Sequence, residues 1–178
     1  MTVTNVSQKK PDLILEQYFL GKTFASGIFE DRFGNVRRQF TVDIDGTWDG
    51  KTLTLTEDFI FGDGETETRV WSIEKIAPAS YVGTADDVIG SAKGIVSGNT
   101  LNWKYDMRLK VGGSKVKVHF DDWMFLQPNG VLINKATVSK LGLDIGLVTI
   151  AFTKKADADF LSTISSTNKE PLVATLAR

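Results

Sequence analysis

From Thr23 to Thr153 apolar and polar residues alternate with a period of two, and glycine-bearing turns interrupt the alternation about every ten residues. Successive side chains of a strand point to opposite faces, so this pattern describes strands with one apolar and one polar face, joined as hairpins. Ten segments read this way, near 23–30, 36–48, 51–61, 66–76, 79–86, 90–97, 100–110, 115–126, 131–139 and 145–154. So many strands connected up and down, all with one apolar face, roll into a barrel, which removes the sheet edges and turns that face inward. The expected fold class is all-β, a single antiparallel up-and-down β-barrel of about 8–10 strands with room inside for side chains or one small ligand. A two-sheet sandwich is the alternative.

Register follows from the turns, because facing residues of an antiparallel hairpin share a face. A two-residue Asp49-Gly50 turn predicts Ile44 opposite Leu55, Val42 opposite Glu57 and Phe40 opposite Phe59. A three-residue loop at Gly62-Asp63-Gly64 sets Leu55 against Trp71 and Glu57 against Arg69. The Gly98-Asn99 turn sets Gly94 against Trp103, and Gly112-Gly113 sets Tyr105 against Phe120 and Trp103 against Asp122. The Pro128-Asn129-Gly130 loop sets Met124 against Asn134 and Asp122 against Ala136.

Helix is expected only at the ends. Pro11 to Gly21 starts with proline and stops with glycine, and its Leu13, Tyr18 and Leu20 are placed to cover a barrel end. A short helix with Phe160, Leu161 and Ile164 is expected in the tail. The chain thus divides into a disordered segment 1–10, a barrel domain 11–154 that includes the N-terminal helix, and a helical or flexible tail 155–178.

The apolar face collects a short set of polar residues: Arg38, Glu57, Arg69, Asp122 and Asn134. They are mixed with Phe40, Phe59, Phe61, Trp71, Trp103, Tyr105, Phe120 and Met124. A buried charge without a partner costs several kcal/mol, so these groups should pair, reach water at a rim, or line a wet pocket whose aromatic walls hold a ligand. In HFDDWMFL, Asp121 and Asp122 are consecutive on a strand and point to opposite faces, so they are not a carboxylate pair. His119, the only histidine, falls on the outer face, far from where a nucleophilic triad would need it. DIDGTWDG has acidic spacing faintly like a calcium loop but lacks the distal glutamate, and TADDVIG reads as a turn or cap.

Composition narrows the classes further. The 178 residues suit one domain with one core. With 21 basic and 22 acidic side chains the net charge is -1, so no long-range field gathers nucleic acid, and stacking or zinc-finger patterns are absent. There are no cysteines, hence no disulfide, thiolate metal site or cysteine nucleophile. The N-terminus lacks the apolar run of a signal peptide and no segment is a membrane span, so the cytoplasm is expected, or the periplasm if a leader was removed. No cofactor is implied, and oligomeric state is open.

The strings GIFEDRFGNVRRQFTVDIDGTWDG, LTEDFIFGDGETETRVW, YVGTADDVIGSAKG, NWKY, VHFDDWMF and LINKATVSKLGLDIGLVTIAF resemble bacterial proteins grouped as domain of unknown function 3833, from about Leu13 to Phe152. The resemblance implies a lipocalin-like, calycin-type barrel and no assigned activity. Many members look like lipoproteins with an N-terminal lipobox cysteine; this chain has none, so membrane attachment is not carried over. The matching motifs contain Glu57, Arg69, Asp122 and Asn134. The leading expectation is a barrel that binds a small hydrophobic or amphipathic ligand. Phe59, Trp71, Trp103 and Tyr105 would form its wall, and Arg38 or Arg69 would meet an anionic head group. The alternatives are a small barrel enzyme with Glu57 or Asp122 as general acid or base, and a structural or interaction protein with a solid core.

Overall fold

A computed structural model describes residues 10–111 and 113–154. Residues 1–9 of the expected segment 1–10 and the tail beyond Lys154 lie outside the described residues. A four-residue helix α1 (Leu15–Tyr18) precedes ten strands: β1 (Gly21–Asp31), β2 (Val36–Trp48), β3 (Thr52–Phe61), β4 (Thr66–Ala77), β5 (Ser80–Thr84), β6 (Val88–Ser97), β7 (Thr100–Val111), β8 (Ser114–Leu126), β9 (Leu132–Lys140) and β10 (Leu143–Thr153). Each pairs antiparallel with its sequence neighbours, and β1 pairs with both β2 and β10, closing the barrel. The sandwich alternative is thereby excluded.

Four of the five predicted registers hold: Glu57 faces Arg69, Gly94 faces Trp103, Trp103 faces Asp122 and Met124 faces Asn134. The fifth is corrected. Between β2 and β3 the turn centres on Gly50-Lys51, so Phe40 faces Phe61, Val42 faces Phe59 and Ile44 faces Glu57. The cause is Asp49, whose carboxylate accepts from the backbone N–H of Lys51 at 2.8 Å and of Thr52 at 2.7 Å and so acts as the first residue of the turn rather than its centre. Gly50 takes the left-handed conformation, φ +101°. The slip is two residues, an even number, so every side chain keeps its face.

The N-terminal helix is also shorter than expected, one turn within Pro11 to Gly21. The segment still seals one barrel end. Leu13, Leu15 and Phe19 are buried there, whereas Leu20 is 53% exposed. Phe19 lies so close to β2 that a Cβ at Gly46 would stand 1.8 Å from the Phe19 carbonyl oxygen. Tyr18 Oη donates toward the carbonyl oxygens of Gly130 (3.0 Å) and Phe152 (3.1 Å). Glu16 accepts from Lys75 Nζ at 2.5 Å and Tyr81 Oη at 2.6 Å. Burial opposes its charge, yet these two donors hold the Glu16 carboxyl below the usual range.

Inward-facing residues are graded along the axis. Near the plug Leu53, Leu101 and Leu132 are at most 1% exposed, and Trp103 fills the space over Gly83 and Gly94, where added Cβ atoms would come within 2.6 and 2.3 Å of its ring. Toward the opposite end Phe40, Phe59, Phe61, Leu109, Val116 and Ile150 also point inward, but they remain partly exposed. The plug half is tightly packed, and the other half is looser, its inward side chains only half-buried.

Candidate functional site

Between the packed half and the looser half lies a polar floor, where β3, β4, β7, β8 and β9 bring their inward polar residues to one level. Arg69 on β4 is met by three carboxylates: Asp87 Oδ2 at 2.8 Å from Nε, Glu67 Oε1 at 3.2 Å from Nη2, and Glu57 Oε2 at 3.8 Å from Nη1. Its guanidinium also lies 5.1 Å from the centroid of Phe59. Burial works against its charge, but Glu57 and Asp87 hold it protonated, with the pKa raised above the ordinary value.

Beside it, Tyr105 stacks on Phe120 with centroids 5.0 Å apart and meets Trp71 edge-on at 5.4 Å. Its hydroxyl lies 3.5 Å from Asp122 Oδ2, and Asn134 Nδ2 donates to the same oxygen at 3.4 Å. Both contacts are long, and Asp122 Oδ1, Asn134 Oδ1 and Asp87 Oδ1 find no hydrogen-bond partner among the described residues. Asp122 is 4% and Asn134 2% exposed. Burial pushes the Asp122 carboxyl up to about 7, with the Asn134 hydrogen bond pulling the other way. Burial likewise pushes Glu57 up to about 7, against the pull of Arg69. A carboxyl that is neutral near pH 7 can donate a hydrogen bond as well as accept one.

Six of the sequence-predicted residues therefore meet on or beside this floor: Glu57, Arg69, Trp71, Tyr105, Asp122 and Asn134. Glu57 and Arg69 face each other as expected, but the close partner of the guanidinium is Asp87. Phe59 stands higher, in a cluster with Phe40 and Phe61 whose centroids are 5.8 to 5.9 Å apart. Arg38 is at the rim, apart from the floor: it pairs with Glu65 at 2.5 Å and Asp63 at 3.3 Å, and stacks 3.5 Å over Phe61. Trp103 belongs to the packed half. Asp121 lies on the outer face with Asn102 and Lys104, and His119 pairs outside the barrel with Asp106 at 2.8 Å.

Asp87 and Glu67 escaped the sequence reading. Asp87 sits in the β5–β6 turn, which the pattern treats as punctuation, and its backbone carbonyl also accepts from Arg108 N–H at 2.8 Å. The available signal was Arg69 itself, an inward cation whose single facing carboxylate left its remaining N–H groups to be answered from a mouth loop.

The sequence matches the family described as Protein of unknown function (DUF3833) over residues 1–154. The chain belongs to the DUF3833 family. Comparison with curated proteins finds no match. Among solved structures the barrel is similar to the S-type phycobiliprotein lyase CPES from Guillardia theta, with a TM-score of 0.55 and 7% identity over 79% of this chain and 91% of that one. At that identity the likeness is one of fold, and it agrees with the lipocalin-like barrel expected of this DUF3833 protein. Among the described residues no group of three or more His, Cys, Asp or Glu side chains is placed to hold a metal ion, and no helix is long and apolar enough to cross a membrane.

Proposed function

We propose that this DUF3833 barrel binds a small amphipathic molecule in its looser half. The apolar part lies against Phe40, Phe59, Phe61, Leu109 and Val116, and the polar end meets the floor at Glu57, Arg69, Tyr105, Asp122 and Asn134. One observation carries the reading. Inward-facing apolar side chains stay partly exposed above a built polar floor, whereas those on the plug side are fully buried. A purely structural barrel has no reason to leave its own core wet on one side, and binding sites combine apolar walls with a few convergent polar groups. The fold likeness to a phycobiliprotein lyase supports a barrel used for small-molecule work.

The polar groups also favour one kind of head group. Arg69 already faces Glu57, Glu67 and Asp87, and Arg38 faces Glu65 and Asp63. A carboxylate ligand would join a site where acids outnumber bases, and the unpartnered oxygens of Asp122, Asn134 and Asp87 call for donors. The favoured ligand therefore carries N–H or O–H donors and is neutral or cationic, in contrast to the anionic head group that the sequence suggested.

Titration of the full chain with a long-chain alkylamine and with the fatty acid of equal length, followed by tryptophan and tyrosine fluorescence, tests this. Saturable binding of the amine, by about tenfold or more over the acid, is expected. Tighter binding of the acid would overturn the head-group assignment, and binding of neither the binding function.

A second reading is general acid–base chemistry by Glu57, because its carboxyl sits near 7 while 14% of its side chain is exposed. A ligand recovered chemically unchanged after long incubation with the protein argues against it.

A further inference from the structure

One arc of the rim opposite the plug holds cations with no counter-charge. At the tip of the β7–β8 hairpin Lys110 stands opposite Lys115, and Arg108 opposite Lys117, all on the outer face. Like charges directly across a strand pair repel. Asp106 answers Lys117 at 2.9 Å, and Asp31 answers Arg37 at 2.6 Å. Arg32, Arg108, Lys110, Lys115 and Lys140 enter no ion pair among the described residues, and the nearby acids that enter none are Asp144 at the start of β10 and Glu30 on β1.

The same arc displays large apolar side chains to solvent: Leu141 is 94% exposed, Phe33 76%, Leu143 67% and Val36 48%. Leu141 also has φ +51°, a left-handed conformation that glycine or asparagine adopts far more readily. The turn thus keeps a leucine where glycine would relieve the backbone and hide nothing. These pieces adjoin. Arg32 N–H donates to the Ile145 carbonyl oxygen at 3.0 Å, joining the β1–β2 and β9–β10 turns. An outer concavity of about 530 Å³ is lined by Lys115, Lys117 and His119, with Asp106 between the last two, on one side and by Lys140 and Leu141 on the other.

The geometry points to peripheral docking of this arc on an anionic lipid bilayer, with Phe33, Leu141 and Leu143 entering the headgroup layer and the flanking lysines and arginines meeting lipid phosphates. Exposed leucines beside basic residues suit an interface that is apolar beneath and negative at its surface. A nucleic acid would use the charges but leave the leucines idle. The opposite side of the rim carries Asp63, Glu65 and Asp86, so the barrel docks tilted, with the end opposite the plug facing obliquely toward the bilayer. The inference is independent of the ligand-binding reading and would give that ligand a membrane route in and out.

Flotation of the full chain with phosphatidylcholine vesicles, and with vesicles in which part of the phosphatidylcholine is replaced by phosphatidylglycerol, is the test. Binding is expected only to the second set and is abolished by high salt. Changing Lys110→Gln together with Lys115→Gln should weaken it about twenty-five-fold, about fivefold for each lysine. Leu141→Gly should weaken vesicle binding while the thermal midpoint stays level or rises, so misfolding cannot account for the loss. The idea is overturned by equal flotation on neutral vesicles, by no flotation on either, or by wild-type flotation of the Leu141→Gly variant. It is equally overturned if an oligonucleotide competes and binds as tightly whether or not Leu141 is present. Alkylamine titration in solution should be the same for all these variants, so failure at the rim is distinguishable from failure of the interior site.

Discussion

Replacing Asp122 by asparagine should make the protein less sensitive to pH and more stable above neutrality. In the folded state the Asp122 carboxyl is raised from 3.8 to about 7, and Glu57 from 4.5 to about 7, burial being the largest cause for both. A raised acid binds its proton more tightly folded than unfolded, so its contribution is complete below the unfolded pKa and is lost as pH climbs toward the folded one. Each group removes about 1.4 kcal/mol per pH unit across that window, so Asp122 alone accounts for about 4 kcal/mol between pH 4 and 7 as an upper bound. The two carboxyls interact and titrate as a pair, which spreads the loss without changing its sign.

In the variant, the new amide can donate to Asn134 Oδ1, which has no partner among the described residues, and accept from Asn134 Nδ2 and Tyr105 Oη as Asp122 Oδ2 does. Urea unfolding at pH 5, 6, 7 and 8, followed by tryptophan fluorescence, measures the slope. Wild type should lose stability from pH 5 to 7, and the asparagine variant should lose about half as much per unit. If wild-type stability is flat or rises over this range, or if the variant keeps the full slope, the buried-acid argument is wrong.

Other changes probe the rest of the architecture. Arg69→Leu leaves Glu57, Glu67 and Asp87 facing one another and should cost about 3–5 kcal/mol in urea unfolding at pH 7. Gly94→Ala drives a methyl to within 2.3 Å of the Trp103 ring; a loss of about 1–3 kcal/mol and an altered tryptophan emission are expected. Tyr18→Phe removes the hydroxyl that ties the plug to Gly130 and Phe152, and should lower stability by about 1 kcal/mol in the same assay.

Much of this molecule was legible in the order of its residues. Side-chain direction in a strand is a matter of parity, so the period-two pattern alone sorted Asp122 inward from Asp121 outward and assembled Glu57, Arg69, Tyr105 and Asn134 on one face. Parity holds even though the turn centres on Gly50-Lys51 rather than Asp49-Gly50, because a slip of two residues keeps every side chain on its face. Closure was implied by ten one-faced strands in series, although the β1–β10 pairing that completes it joins residues too far apart for any local pattern to register.

What tertiary structure alone decided is height along the barrel axis and the partners that come from loops. Parity places a residue inside but not at a level. Trp103 went into the packed half because Gly83 and Gly94 leave space there, while Arg38 went to the rim, where Asp63 and Glu65 hold it. Asp87 reached Arg69 only because β5 pairs with β4, which brings the β5–β6 turn over the end of β4 that carries Arg69. That neighbour, with Glu67, makes acids outnumber bases around Arg69, which is why the proposed head group is a donor rather than an anion. Charge balance in a buried site is set by all groups within a few ångströms, and those distances exist only once the strands and their turns have assembled.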